Sequence, residues 1–231
     1  MADAQNACDC EECDLKSLFF SSVNQTEFSR LCNQKVEKSF AKGEAILLEK
    51  SRIEEFVYLK SGLVKLFRTS NHGKEQIITI AKPFDFVSLL SVFSNSHYNY
   101  SVTALEDSVT CNMDLEEIKK LTATNGDFAL NIIEKMSSVS DKIILEFLEM
   151  RQKQLHGRVA YFLIYMSDQI FYNDEFDLPM SRKEIAEYIG MTTENVIRTL
   201  SEFRKDKMIK IFGKTIEIID KDKLKTIAEF G

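Results

Sequence analysis

Two helix-start signals separated by a glycine, within residues 181–206, constrain the fold more than any other feature of the chain. SRKE at residues 181–184 is a capping box, in which the serine hydroxyl and the glutamate carboxylate each accept the other residue's backbone N–H. Gly190 stands where a left-handed residue can end the first helix. Thr192 can cap a second helix that runs to about residue 206. The pattern predicts two short helices joined by a tight turn.

Each of these predicted helices has one apolar face, because apolar residues recur at spacings of three and four. The faces consist of Ile185, Ala186 and Ile189 on the first helix and of Val196, Leu200 and Phe203 on the second. Ala186 is small enough to let the two backbones approach closely. Two helices packed in this way, the second with a polar outer face, form a helix-turn-helix unit that reads DNA.

The outer face of the second helix carries Glu194, Ile197, Arg198 and Ser201. An arginine can donate two hydrogen bonds to O6 and N7 of guanine, and a glutamate can accept one from N4 of cytosine. The alternative is a Glu194–Arg198 salt bridge on an exposed helix, which would contribute a few tenths of a kcal/mol. The residues alone leave both interpretations open.

Positive charge is concentrated around this unit, although the chain has a net charge of −6. Residues 1–150 carry 16 Lys and Arg against 23 Asp and Glu, whereas residues 151–231 carry 14 against 13. Residues 208–212 and 215–219 flank Gly213 as a hairpin, the pattern of a wing beside the second helix. We predict that phosphates are contacted by Thr192, Ser201, Arg204, Lys205, Lys210 and Lys214.

The region from residue 44 to residue 113 has the texture of antiparallel β-structure. Short β segments at residues 56–59, 64–68, 76–80 and 101–104 are separated by turn signals at 61–62 and 71–73. This pattern predicts a small barrel or sandwich.

A helical period replaces the β pattern from residue 115 to residue 172. No Pro or Gly interrupts residues 127–156, so a helix of about 30 residues and roughly 45 Å is expected. One apolar stripe runs along it, formed by Ile132, Met136, Val139, Ile143, Phe147 and Met150. A second copy of the chain is the expected cover for so long a stripe; the alternative is packing within the same chain.

Composition and motifs argue against several other classes of protein. The longest apolar run, residues 159–166, is too short to span a bilayer, and residues 1–13 lack the features of a secretory signal, so we expect a cytoplasmic protein without a membrane partner. Enzyme motifs such as a phosphate-binding Gly-rich loop or His-Glu-x-x-His are missing, and His72, His97 and His156 are scattered. We therefore expect no enzyme activity.

LPMSRKEIA at residues 178–186 and GMTTENVIR at residues 190–198 resemble the helix-turn-helix of the CRP/FNR regulators. The resemblance implies an α+β fold with an N-terminal antiparallel β-roll like that of cyclic-nucleotide-binding domains, a long dimerisation helix and a C-terminal winged helix-turn-helix. The implied divisions are a cysteine-rich segment at 1–18, a sensor domain at 19–120, the dimerisation helix at 121–150 and the DNA-binding domain at 151–231.

Members of this family bind palindromic DNA as homodimers and act on RNA polymerase. By resemblance, Glu194 and Arg198 read a G·C step in each half-site, with Thr193 and Ile197 as further base-reading positions. Thr193 replaces the arginine of the cyclic-AMP branch, which places the chain closer to the FNR branch. Ile197 replaces a small or hydroxylated residue and leaves the flanking base open, and Lys207 stands where a glycine commonly precedes the wing. The alternative is a β-roll regulator that acts on a protein partner without DNA.

The β-roll departs from the nucleotide-binding pattern. A buried cyclic phosphate needs a cation and several hydrogen-bond donors, which the family supplies with a Gly-Glu pair and an Arg-Ser pair. Here Leu89 replaces the glutamate, and Tyr100-Ser101 replaces Arg-Ser. The sequence therefore argues against cyclic AMP as effector. The resemblance to the FNR branch implies instead a response to oxygen, a redox signal or another small effector.

Five cysteines, an odd number, argue against a disulfide scaffold. By resemblance to the FNR branch, Cys8, Cys10, Cys13 and Cys111 are candidate ligands of a [4Fe–4S] cluster. Their spacing is tighter than in that branch, and Phe19 occupies the expected last N-terminal site. Zinc, a dithiol switch and no ligand role are the alternatives. Cys32 is expected to pack in the first helix.

Overall fold

The computed structural model describes residues 16, 17 and 19–231, which form two compact units. The described residues up to Arg68 form the first unit together with Thr79–Lys142, and the second unit comprises Thr69–Ile78 and Ile143–Gly231. An N-terminal antiparallel β region, a long helix and a C-terminal helix-turn-helix follow one another along the chain. This arrangement confirms the predicted α+β fold class.

The N-terminal half is mainly β-structure. Its strands are β1 (Val36–Phe40), β2 (Ala45–Leu47), β3 (Glu55–Ser61), β4 (Val64–Thr69), β5 (Glu75–Ala81), β6 (Ser101–Ala104) and β7 (Ser108–Asp114). Its helices are α1 (Gln25–Gln34), α2 (Leu89–Val92) and α3 (Leu115–Thr124). The strands form two sheets, in the orders β1–β7–β3 and β2–β6–β4–β5. Phe56, Leu59 and Ile80 are completely buried in the core.

The four predicted β segments are confirmed as parts of β3, β4, β5 and β6. Strand β1 lies before the predicted β region and was not predicted. Among the described strands it pairs with β7 alone and therefore lies at the edge of its sheet. At its ends, Val36 is exposed and Phe40 is half-buried, so the strand shows no clear alternation of apolar and polar residues.

The long helix, α4 (Gly126–Gln152), is shorter than predicted at its C-terminal end. It ends four residues before His156, although neither Pro nor Gly is present to stop it. The backbone N–H of Gln154 donates instead to Gly231 O at 2.9 Å, and Arg158 Nε donates to the carbonyl of Lys153 at 2.9 Å. These hydrogen bonds to residues outside α4 stabilise a break that periodicity cannot reveal.

Most of the predicted dimer stripe on α4 is wholly or partly covered within the chain. Ile132 and Met150 are buried within their own chain, and Met136, Val139 and Ile143 are half-buried, so of the six residues only Phe147 is exposed. A second apolar stripe lies about a quarter turn away. This exposed stripe consists of Leu130, Ile133, Ile144, Phe147 and Leu148. The helix therefore has two adjacent apolar stripes with the same period. The predicted stripe, from Ile132 to Met150, packs largely inward.

The second unit contains the C-terminal elements. These are α5 (Leu155–Tyr165), a π-helix (Met166–Phe171), β8 (Glu175–Asp177), α6 (Arg182–Ile189), α7 (Thr193–Lys205), β9 (Ile209–Phe212), β10 (Thr215–Ile218) and α8 (Lys221–Phe230). Strands β8, β10 and β9 form one antiparallel sheet in that order. Strand β8 was not predicted, because three residues are too short to show alternation. Among the described residues, no helix is long and apolar enough to cross a membrane.

Candidate nucleic-acid interface

Helices α6 and α7 form the predicted helix-turn-helix, and its local signals are confirmed. The backbone N–H of Glu184 donates to Ser181 Oγ at 3.2 Å, and the N–H of Ser181 donates to Glu184 Oε2 at 2.8 Å. Gly190 ends α6 with a φ of 69°. The N–H of Asn195 donates to Thr192 Oγ1 at 3.3 Å, which caps α7. Caps of this kind contribute about 1 kcal/mol each.

The two helices pack through the apolar faces that the sequence predicted. The buried residues are Ile185, Ala186 and Ile189 on α6 and Val196, Leu200 and Phe203 on α7, none more than 3% exposed. Full burial of one such large side chain contributes about 1.5–3 kcal/mol. This packing fixes which face of α7, the recognition helix, points outward.

Glu194, Ile197, Arg198 and Ser201 are all exposed on that outward face. Arg198 Nη2 donates to Asn195 Oδ1 at 3.2 Å. The Glu194–Arg198 salt bridge that was the alternative interpretation is not formed within the described structure. Sequence reasoning missed the role of Asn195, although its position three residues before Arg198 was a usable signal.

Glu194 lies at the start of α7, where its carboxylate is held by local hydrogen bonds. Donation from its own backbone N–H and from the Thr192 hydroxyl lowers the pKa of this carboxyl below its usual value. An ionised carboxylate only accepts hydrogen bonds. Glu194 is thus suited to accept from an exocyclic amine such as N4 of cytosine.

The predicted phosphate contacts on the recognition helix differ in their availability. Thr192, Ser201, Arg204 and Lys205 are all exposed. Ser201 Oγ, however, donates to the carbonyl of Ile197 at 2.9 Å. Its hydroxyl hydrogen must therefore leave this bond before it can donate to a phosphate.

Strands β9 and β10 form the predicted wing hairpin around Gly213. Lys210 Nζ lies 3.0 Å from Glu217 Oε2, and Lys214 Nζ lies 2.7 Å from Asp177 Oδ2. Hydrogen bonds from Lys214 and Thr215 lower the pKa of the Asp177 carboxyl. Exposed ion pairs of this kind are weak, so a DNA phosphate can replace either carboxylate.

Arg158 holds the turn of the helix-turn-helix in place. Its Nη1 donates to the carbonyl of Ile189 at 3.1 Å, while its Nε bonds Lys153. Arg158 therefore connects the end of α4 with the end of α6. Sequence reasoning missed this residue, because its partner Ile189 lies 31 positions away and no local pattern links the two.

In the β-roll, residues 88, 89, 100 and 101 stand at the positions that the resemblance assigns to a cyclic phosphate. Here their side chains pack against or bond to other parts of the protein. Tyr100 Oη donates to the carbonyl of Val87 at 2.8 Å, and Ser88 Oγ accepts from the N–H of Val57 at 2.9 Å. Leu89 is buried, and Ser101 Oγ accepts from the N–H of Glu49 at 2.9 Å. None of the four residues at these positions is a cation.

The cysteine ligand set falls largely outside the described structure. Cys8, Cys10 and Cys13 lie outside the described residues. Cys111 is buried in β7, with Glu37 on β1 and Tyr58 on β3 as its cross-strand neighbours. The described residues contain no group of three or more His, Cys, Asp or Glu that could hold a metal ion. They therefore supply one buried thiol toward the predicted set.

The remaining chemistry-bearing residues are dispersed. Phe19 is buried, with its ring centroid 4.4 Å from that of Phe86, and Cys32 is half-buried in α1. His72 and His97 are exposed. His156 Nε2 lies 2.6 Å from Glu202 Oε2.

Comparison with known proteins gives an independent view of both halves. A profile described as "Cyclic nucleotide-binding domain" matches residues 37–125, and one described as "Crp-like helix-turn-helix domain" matches residues 157–227. The chain is 23% identical to FixK2 from Bradyrhizobium japonicum, with a TM-score of 0.76 over 84% of this chain and 96% of that one. For a crp/fnr-family regulator from Eubacterium rectale the identity is 19% and the TM-score 0.77, over 91% and 97%.

Curated relatives match over almost the whole chain. Transcriptional activator protein Anr of Pseudomonas protegens is 28% identical over 97% of this chain and 94% of its own length. Electron transport regulator A of Shewanella oneidensis and the fumarate and nitrate reduction regulatory protein of Escherichia coli are each 27% identical over 95% of this chain and 90% of their own. The chain therefore belongs to the CRP/FNR family of DNA-binding transcription regulators, and these curated relatives support its placement in the FNR branch.

Proposed function

We propose that this regulator binds a palindromic operator as a homodimer and that Glu194 and Arg198 read one G·C pair in each half-site. The observation that carries the proposal is the outward face of the recognition helix, where both side chains are exposed beside a fully buried packing face. Arg198 donates to guanine O6 and N7, and Glu194 accepts from cytosine N4. Thr193 and Ile197 contact neighbouring bases.

Phosphate contacts set the register of this helix in the major groove. They come from Thr192, Ser201, Arg204, Lys205, Lys210 and Lys214. When DNA binds, the Lys210 ammonium leaves Glu217 for a phosphate oxygen, and the Lys214 ammonium leaves Asp177 in the same way. Because each contact releases counterions, affinity falls steeply with salt.

The exposed stripe of α4 is the proposed dimer interface. Leu130 and Leu148 mark its ends, about 27 Å apart along the helix. A second copy that presents the same stripe would remove these side chains from water. Substitution Ile144→Glu should give a monomer in analytical ultracentrifugation, because it puts a charge in the middle of the stripe. The control Ser138→Glu, at an exposed position about a third of a turn around the helix from Ile144, should remain a dimer; equal dissociation of both would place the interface elsewhere.

The DNA assignment is tested by selecting an operator from a random duplex library and measuring affinity by electrophoretic mobility shift. Arg198→Ala should lose about 1–3 kcal/mol of binding free energy and its preference at one base pair per half-site. Lys223→Ala, which removes an equal charge from an exposed position on α8, is the control. If Arg198→Ala binds as the wild type does, the alternative of a β-roll regulator acting on a protein partner is favoured.

We further propose that the signal is oxygen, a redox change or a small effector other than cyclic AMP, and that the output acts on RNA polymerase. Cys8, Cys10, Cys13 and Cys111 are the candidate ligands of a [4Fe–4S] cluster, in which thiolates bind iron. Iron and sulfide analysis with the absorption spectrum of anaerobically purified protein tests this. Iron-free, colourless protein that binds its operator equally in air and under nitrogen would exclude the cluster.

A further inference from the structure

We propose that Ile197 recognises the C5-methyl group of a thymine in the base pair next to the G·C pair read by Arg198. The inference rests on the proposed function and adds a second base to the half-site. Ile197 is 50% exposed on the outward face of α7. It lies one turn after Glu194 and directly before Arg198, so its side chain and theirs share one face.

Ile197 is the single exposed large apolar side chain on the recognition helix, whose residues are all described. The other large apolar residues of α7 (Val196, Leu200 and Phe203) are buried against the rest of the unit. Ile197 therefore contributes little to packing within the chain, while it occupies the face that DNA would cover.

An aliphatic side chain at this place can distinguish one base edge from the others. Thymine is the base whose major-groove edge carries a methyl group, whereas adenine, guanine and cytosine present only donors and acceptors. Contact with the methyl group buries apolar surface on both partners. Contact with the other edges would remove polar atoms from water without supplying a hydrogen bond, which is unfavourable.

The local structure gives this contact a fixed position. A β-branched isoleucine in a helix has one strongly preferred χ1 rotamer. Arg198, the next residue, is held by Asn195 Oδ1 at 3.2 Å. The isoleucine methyl groups and the guanidinium thus enter the groove side by side, which suits them to neighbouring base pairs.

The test replaces thymine by uracil in the selected operator, which removes the methyl group alone. Replacing dT by dU beside the read G·C pair, one position at a time in a single half-site, should weaken wild-type binding about fourfold at one position. The same change at thymines outside the half-sites should have no effect. In Ile197→Ala the dT and dU operators should bind equally, because the partner of the methyl group is gone.

Two results would overturn the proposal while operator binding and its dependence on Arg198 remain intact. One is a selected half-site without thymine beside the G·C pair, and the other is equal wild-type affinity for all dT and dU duplexes. If no operator is selected, both the proposed function and this inference fall. Circular dichroism of Ile197→Ala should match the wild type, since the side chain is exposed.

Discussion

The recognition helix and the β-roll corner around Tyr100 use polar side chains in opposite ways. On α7, Glu194 and Arg198 are exposed, and their side chains bond to neighbours within three residues in the part of the chain that the structure describes. In the β-roll, the hydroxyls of Ser88 and Tyr100 are buried and bond to backbone groups from elsewhere in the chain. Polar groups of the first kind are free to exchange partners with a ligand, whereas those of the second kind are part of the scaffold.

This difference bears on how the two halves of one family fold can diverge. The N-terminal half matches a cyclic-nucleotide-binding profile, yet its would-be phosphate positions hold an internal hydrogen-bond network. The C-terminal half keeps its reading face accessible. The exposed polar side chains, rather than the fold of a domain, therefore indicate which site can bind a ligand.

The largest effect is expected at the β-roll turn that contains Gly62. A substitution there tests whether close packing within the β-roll stabilises it. Gly62 has a φ of +89°, and a Cβ there would lie 2.2 Å from Ser108 Oγ and 2.6 Å from Asp107 O. Gly62→Ala should therefore lower the free energy of unfolding of the β-roll by about 3 kcal/mol, from backbone strain and overpacking together. Urea unfolding measures the change.

Gly43→Ala is the matched control for this prediction, because Gly43 lies in the same unit as Gly62. Gly43 also has a positive φ, of +88°, but a Cβ there meets nothing within 4 Å. This variant should lose only the unfolding free energy that corresponds to backbone strain at a positive φ, about 1 kcal/mol. Equal losses in the two variants would show that the contact with residues 107 and 108 does not constrain this turn.

The helix-turn-helix could be predicted almost completely because its signals are local. The capping box, Gly190 and the three- and four-residue spacings all act within about seven residues, and each reappears in the structure. Hydrogen bonds from Arg158 and Gln154 join residues far apart in sequence. They determine where α4 ends and how the turn is held, which is why the predicted helix was too long.

Sequence periodicity also could not choose between the two apolar stripes of α4. Ile132 and Met150 fit the helical period as well as Ile133 and Ile144 do, yet the first pair is buried and the second exposed. Only the surrounding packing decides which stripe is covered. Similarly, Leu89 and Tyr100 led to the prediction that cyclic AMP is not the effector, but they did not reveal the hydrogen bond from Tyr100 to Val87.

A medium effect is expected at Tyr100, which tests the β-roll side of the comparison. Burial raises the pKa of the Tyr100 phenol, so its hydroxyl remains a donor to Val87 O at neutral pH. Tyr100→Phe should cost about 1–2 kcal/mol of unfolding free energy, because it removes the donor bonded to a buried carbonyl.

Tyr98→Phe is the control for Tyr100→Phe, since the Tyr98 hydroxyl lies 3.4 Å from Glu55 O, near the limit of a useful hydrogen bond. Its loss should be well below that of Tyr100→Phe in the same thermal or urea unfolding experiment. If the two losses are alike, the bond to Val87 is not what stabilises this corner.

A smaller effect is expected from the capping box of α6, which belongs to the helix-turn-helix and not to the β-roll. Ser181→Ala should cost about 1 kcal/mol and increase amide hydrogen exchange in α6 without affecting β3 or β7. Ser181→Thr should retain most of the stability, because threonine can form the same box. Exchange that rises equally in the β-roll would mean that the two halves do not unfold separately.

The smallest effect is a gain in stability at Lys207, where the wing begins. Lys207 has a φ of +58°, a conformation that is unfavourable for a residue with a side chain, which gives a physical reason for glycine at this position. Lys207→Gly should stabilise the second unit by about 0.5–1 kcal/mol, whereas Lys223→Gly, at an exposed position within α8, should destabilise it by about 1 kcal/mol. Both variants lose one positive charge, so opposite shifts in melting temperature would isolate the backbone effect. Shifts of the same sign would mean that charge, and not the left-handed backbone, dominates.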